Sequence, residues 1–288
     1  MLDRLLEQGR ELLPLGQWIN AAVDHLIEHN GSVFDDIGRA IEVAGGAVEA
    51  ALQALPAWLV ILLATVLAWR RVSPRFAVVA ALSLLLIAVL GYWQLTMATL
   101  ALTLTATVVS LALGVPLGIL AARSPRVEAL LRPLLDFMQT MPAFVYLIPA
   151  VMLFGLGRVP GVLATVIFAM PPAVRLTAIG IRQVDREQIE AGQAFGASRW
   201  QLLYKVQLPL ALPAIMGGIN QTVMMALSMV IVTSMVGAGG LGGEVLGSIQ
   251  QLDVGLGFES GLCVVLLAIV LDRITQSFGK PVGERGNG

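Results

Sequence analysis

The chain has 288 residues, 57% of them hydrophobic and 13% charged, with a net charge of −1 and a mean hydropathy of +0.83. Soluble domains carry roughly 25% charged residues, so a water-facing shell cannot be built here and the composition points to an integral membrane protein. The charge is uneven, with three Arg against nine Asp or Glu in residues 1–54 and a basic surplus beyond, but no basic cluster is dense enough for nucleic acid.

Residues 1–20 alternate charged and apolar positions without an unbroken apolar core, so no cleavable signal peptide is expected. Leu12, Leu15, Ile19, Ala22 and Leu26, then Val33, Ile37, Ile41, Ala44 and Val48, recur at helical steps, and residues 1–54 read as an acidic amphipathic tail. Such a helix either lies on the outer membrane surface or packs on the spans. His25, Glu28 and His29 match H-x-x-E-H, in which two His one turn apart hold Zn²⁺ and the Glu acts as general base. The competing reading is a polar helix face without a third ligand, and it is preferred.

A helical span needs about 20 mostly apolar residues. Seven are expected, at about 55–69, 76–92, 96–122, 137–157, 160–181, 210–236 and 258–277. Gly114, Pro116 and Gly118 suggest a kink in the third, and Pro171, Pro172 and Arg175 interrupt the fifth. Asp136 and Arg175 fall near span ends, where snorkelling accounts for them. The single cysteine, Cys263, lies in the last apolar run and offers neither a disulfide framework nor a metal cluster.

Basic residues sort the connections. Arg70, Arg71 and Arg75, then Arg123, Arg126 and Arg132, then Arg182, Arg186, Arg199 and Lys205, and finally Arg273, Lys280 and Arg285 fill alternate ones, whereas Arg158 stands alone on the other side. The positive-inside rule puts the C-terminus in the cytoplasm and residues 1–54 outside.

Aromatic side chains at Phe137, Phe144 and Tyr146 surround Gln139-Thr140-Met141-Pro142. Aromatic faces attract quaternary ammonium groups, although membrane-interface anchoring or packing is the commoner use. Residues 182–209 form a long polar stretch with charges of both signs, reading as two short helices about a turn at Gly196. The run Gly237-Ala238-Gly239-Gly240-Leu241-Gly242-Gly243 lacks the Lys-Ser/Thr of a phosphate loop, so a flexible or tightly packed outer loop is expected. Beyond it, Glu244, Asp253 and Glu259 make an acidic outer face.

Glu190-Ala191-Gly192, then Gly196, then Val206-Gln207-Leu208-Pro209 resembles the cytoplasmic E-A-A loop of binding-protein-dependent ABC transporter permeases. Gly192 stands for Ala and Val206 for Ile; the first change weakens a helix by about 1 kcal/mol. Residues 136–149, Pro171–Thr177, Gly237–Gly242 and Leu271–Thr275 are similar to permeases of glycine betaine, proline betaine and choline uptake systems. The resemblance implies an all-α, type 1 ABC importer permease fold in a bacterial cytoplasmic (inner) membrane. It implies two accessory helices over 55–92, a permease core over 96–277 with coupling loop 182–209, and a cytoplasmic tail over 278–288. It further implies a homodimer in the lipid bilayer, a separate ATPase subunit carrying ATP and Mg²⁺, and an extracytoplasmic solute-binding protein. Glu190, Ala191, Gly196, Val206, Leu208 and Pro209 are then coupling residues, Phe137, Phe144 and Tyr146 path residues, and Gly239, Gly240 and Glu244 an outer gate. No cofactor or catalytic residue belongs to this chain on that reading. The alternatives are a zinc metalloprotease through His25, Glu28 and His29, or an ATP-independent channel or carrier.

Overall fold

The computed structural model describes residues 15–279, and every regular element among them is helical. In chain order these are α1 (Leu15–Ala54), α2 (Ala57–Arg71), α3 (Pro74–Val89), α4 (Trp93–Arg123), α5 (Pro125–Thr140) and α6 (Ala143–Phe154). Next come α7 (Arg158–Arg182), α8 (Arg186–Ala194), α9 (Arg199–Leu202), a π turn at Leu203–Gln207, α10 (Leu208–Thr233), α11 (Leu241–Gln251) and α12 (Val254–Ser277). The tight connections carry their own stop and start signals. Ser73 and Ser124 accept from Phe76 and Val127 amides ahead of Pro74 and Pro125, and the Asp253 carboxylate accepts from Leu256.

Among the described residues, four helical runs are long and apolar enough to cross a membrane: Trp93–Arg123, Arg158–Arg182, Arg199–Val236 and Val254–Ser277. Counting each bent helix pair as one span raises the number to six, short of the seven expected. The apolar runs over 55–69 and 76–92 form a hairpin, α2 and α3, of 15 and 16 residues. At 1.5 Å per residue each reaches only about 23 Å. The run over 137–157 is not one helix: α5 and α6 meet at 98°. Met141 precedes Pro142, whose ring disfavours the helical conformation for it, and Met141 is extended at φ −69°, ψ 136°. Conversely, α4 and α7 run unbroken through Pro116 and through Pro171 and Pro172.

The core is organised around α7, which packs between α4 and α10. A methyl on Gly118 of α4 would lie 2.7 Å from Thr177 Cβ and from the Val174 carbonyl; one on Gly114 would lie 2.9 Å from Ala173. On the other flank, Gly180 of α7 leaves no room for a methyl against Ala214, and Gly218 of α10 sits over the Pro172 carbonyl. Between helices in lipid the driving force is close contact, which small residues permit. The hydroxyls of Thr99, Thr103 and Thr105 on α4 donate to carbonyls one turn back, so these polar side chains are buried with partners.

The N-terminal helix α1, interrupted at Asn30 (φ −127°, ψ 20°), packs its C-terminal half on the bundle. Gly45 and Gly46 form a notch against the Arg158 side chain, which pairs with Glu49 and, at 3.6 Å, with Glu42. Arg175 and Asp136 do not snorkel: they pair with each other at 2.5 Å across α5 and α7, near the Arg182–Glu128 pair at 2.6 Å. These two pairs flank a groove of about 360 Å³.

The glycine contacts generate a stability prediction. Gly118→Val is expected to lower the melting temperature of the detergent-solubilised protein by an amount matching roughly 1–3 kcal/mol of overpacking. Gly261→Val, at a position with open space beside it, is expected to leave it nearly unchanged.

Candidate functional site

The segment between α7 and α10 folds as two short helices joined by a left-handed turn. Helix α8 closes with the Gly196 amide donating to the Gln193 carbonyl and the Ala197 amide to that of Gly192, a Schellman end. Gly196 takes φ +77°, with open space around it, so its requirement is conformational. Ser198 then caps α9: its hydroxyl accepts from the Gln201 amide, and the Gln201 side chain accepts from the Ser198 amide. The expected pair of helices about Gly196 is present.

The join to the membrane span departs from expectation. No loop separates α9 from α10; a π turn at Leu203–Gln207 links them into one run, Arg199–Val236. Pro209 explains it. Pro209 has no amide to donate to the Lys205 carbonyl and its ring crowds that oxygen, while the Leu208 amide reaches back to Leu203. Leu203 and Leu208 pack with Ile181, Ala211 and Ile215, fixing the base of the segment to α7 and α10.

The sequence-derived coupling residues divide by exposure. Glu190, Ala191, Gly196 and Pro209 are exposed; Val206 and Leu208 are half-buried. Glu190 makes no hydrogen bond or ion pair among the described residues, and the turn's amides go to backbone carbonyls instead. Gly192, the departure from Ala, has a physical reason: a methyl there would lie 2.8 Å from Leu202 Cδ1. Sequence reasoning passed over the aromatic surface. Trp200 and Tyr204, one turn apart, stack at 6.0 Å, and the Arg123 guanidinium sits 4.6 Å over the Trp200 ring. Phe195, beside the turn, is 92% exposed. The i, i+4 aromatic spacing was the available signal.

The three aromatics near the elbow do not share one environment. Phe137 and Phe144 are exposed, but Tyr146 is buried with Leu147, Ala164 and Met229. Its hydroxyl donates to the Met138 carbonyl, closing the bend between α5 and α6. The glycine run is tightly packed in part: Gly240 lies against Thr99 and Gly242 against Ser234, whereas Gly237, Gly239 and Gly243 are exposed. Gly237, Gly239 and Gly240 all take positive φ, the Leu241 amide donates to Thr99 Oγ1 at 2.8 Å, and the Ser234 hydroxyl donates to the Gly239 carbonyl at 2.9 Å. Glu244 lies half-buried in the first turn of α11, a helix where the sequence suggested loop. His25, Glu28 and His29 lie on an exposed face, with His29 Nδ1 3.0 Å from the His25 carbonyl. No group of three ligand residues able to hold a metal occurs among the described residues.

Residues 114–282 match the family described as "Binding-protein-dependent transport system inner membrane component". The chain is 48% identical to the glycine betaine/proline betaine transport system permease protein ProW of Escherichia coli (strain K12), covering 96% of this chain and 78% of that protein. It is 46% identical to the glycine betaine transport system permease protein OpuAB of Bacillus subtilis (strain 168), covering 96% and 98%. It is 49% identical to the glycine betaine/carnitine transport permease protein GbuB of Listeria monocytogenes, covering 93% and 96%. Among solved structures, the inward-facing MetNI methionine ABC transporter superposes with a TM-score of 0.56 at 21% identity, over 64% of this chain and 94% of that one.

The turn geometry gives a local test. Gly196→Val forces a branched side chain into left-handed backbone at roughly 1–2 kcal/mol. Amide hydrogen exchange at Ala197 is expected to accelerate in that variant and to stay near the wild-type rate in Gly196→Asn, since Asn tolerates this conformation.

Proposed function

The chain belongs to the family of binding-protein-dependent transport system inner membrane components, and from that premise we propose that it is the permease subunit of an ATP-driven importer of glycine betaine and proline betaine. The observation that carries the solute is the 46–49% identity, over nearly the whole chain, to permeases named for glycine betaine. Choline shares the quaternary ammonium group but is a cation without the carboxylate. Two copies in the bilayer form the path between them, and a solute-binding protein delivers its load to the outer loops about Gly239, Gly240 and Glu244. A cytoplasmic ATPase subunit, which carries ATP and Mg²⁺, docks on 182–209. The accessory helices over 55–92 flank a core over 96–277, and the chain enters from an outer N-terminal tail over 1–54 and leaves by a cytoplasmic tail over 278–288.

Mechanically, closure of the ATPase dimer has to act through protein that is stiff. Helix α8, the Schellman turn and α9 give the ATPase a shaped wedge, and the exposed Phe195, Trp200 and Tyr204 give it apolar area. Glu190 offers a free carboxylate on the same wedge to a basic group of the partner. From α9 the helical path continues into α10, so a displacement of the wedge reaches the membrane interior without crossing a flexible loop. That supports alternating access driven from 182–209.

Proteoliposomes holding this chain, its ATPase and its binding protein are expected to accumulate radiolabelled glycine betaine in an ATP-dependent manner; absence of uptake overturns the solute assignment. In the same system Gly196→Val is expected to abolish uptake, by loss of ATPase association or of its stimulation by loaded binding protein. Glu190→Ala is expected to reduce it less.

Orientation has a separate test. With the fully buried Cys263 left in place, the exposed positions Ser32 and Gln250, each replaced by Cys, are expected to react with an impermeant thiol reagent outside intact cells. A Ser198→Cys variant is expected to react only after permeabilisation. Reaction at Ser198→Cys in intact cells reverses the topology.

A further inference from the structure

The four long spans differ in what they leave uncovered. More than two turns from either end, the exposed residues are Val108, Ala112 and Leu113 on α4, Ile167 on α7, and Val265 and Ile269 on α12. All are apolar and suited to lipid. The run Arg199–Val236 departs from this: past the apolar residues of its first turns it exposes Gly217, Gln221 and Ser228.

These three, with half-buried Met224 and Met225, recur at steps of three and four and form one stripe on α10. Gln221 has no hydrogen-bond partner among the described residues, while the Ser228 hydroxyl donates back to the Met224 carbonyl at 3.0 Å. Beside Gly217 there is open space. An uncovered primary amide facing hydrocarbon leaves two N–H donors and a carbonyl unmet, which lipid cannot correct. This face therefore looks onto something polar. Met229, on the neighbouring face, packs with Tyr146, Leu147, Met141 and Phe168, so the stripe runs beside the elbow between α5 and α6.

We infer that Gly217, Gln221 and Ser228 line the solute path and that Gln221 is a solute-contacting residue. The inference rests on the betaine reading and deepens it. Charge selects the occupant: residues 206–243 contain no Asp, Glu, Lys, Arg or His. A wall without fixed charge suits a zwitterion of zero net charge and gives no hold to a simple anion or cation. The Gln221 amide donates to the solute carboxylate, and the polarisable Met224 and Met225 thioethers adapt to the methyl groups of its ammonium. Neutral, adaptable contacts also let the solute leave, as a path requires.

The test uses the complex with ATPase and binding protein in proteoliposomes. Gln221→Cys, Ser228→Cys and the lipid-facing control Val265→Cys are each treated with trimethylammonium-ethyl methanethiosulfonate, an impermeant thiol reagent carrying the solute's headgroup. Thiol reactivity follows access to water, so the first two are expected to react about tenfold faster than the control and to be slowed by glycine betaine. Gln221→Leu is expected to cut uptake roughly fivefold at unchanged ATPase association, with Gln221→Asn recovering most of it. Reaction no faster than the control overturns the inference. So does a disulfide linking two Gln221→Cys copies without reagent access, which makes the stripe a contact between copies. Fast, reagent-accessible labelling in a complex that moves no betaine overturns the solute reading and leaves the path assignment standing.

Discussion

The bundle depends on α7 being gripped from both sides at distances that only missing side chains allow. Gly114 and Gly118 bring α4 onto Ala173, Val174 and Thr177, and Gly180 and Gly218 bring α10 onto the opposite flank. In a membrane, apolar side chains gain nothing by leaving lipid for each other, so this contact must supply by dispersion what a soluble core draws from water. It also explains how α7 keeps Pro171 and Pro172. Each removes one amide donor from the span, and both prolines are buried between neighbouring helices.

With α7 fixed, the ends of the neighbouring elements acquire fixed places. At one end Arg158 seats in the Gly45–Gly46 notch, and the Gly157 amide donates to the Val236 carbonyl at 2.9 Å, tying α1, α7 and the end of α10 together. At the other, Ile181 packs with Leu203 and Ala211, so the wedge of α8 and α9 is rooted on the same helix. The π turn lies where Pro209 removes the amide that would pair with the Lys205 carbonyl, and the wider turn preserves continuity.

Much of this was readable from sequence because it is written in local chemistry. Apolar length gave the four long helices, and the left-handed turn came from Gly196 flanked by polar helical segments. Contacts between distant residues were not readable. Asp136 and Arg175 each looked like an isolated charge near a span end, and nothing in the chain reveals that α5 and α7 bring them together. Tyr146 looked like a path aromatic because its neighbours are aromatic, whereas burial and a hydroxyl bond to Met138 make it the brace of the elbow. The elbow was foreseeable from Met141-Pro142, but the mostly apolar length of 137–157 outweighed it. Gly192 reads as a weakened helix by propensity alone, and only the Leu202 side chain lying over it supplies the reason for a missing methyl.

The contacts holding these parts are unequal, and that inequality bears on which of them moves. The interfaces of α7 with α4 and α10 are buried and closely packed. Helix α5, in contrast, is held to α7 partly through Arg175–Asp136 and Arg182–Glu128, pairs with side chains 38–54% exposed. Such pairs contribute about 0–1 kcal/mol each, beside a small apolar cluster of Leu135, Met138 and Val174. Between them lies an open groove of about 360 Å³, where a close-packed interface would have side chains. Opening costs least where buried contact is least. Among the helices packed on α7, α5 is thus held by weaker contacts than α4 and α10, and the bend at Met141-Pro142 joins it to α6 beside the polar stripe of α10.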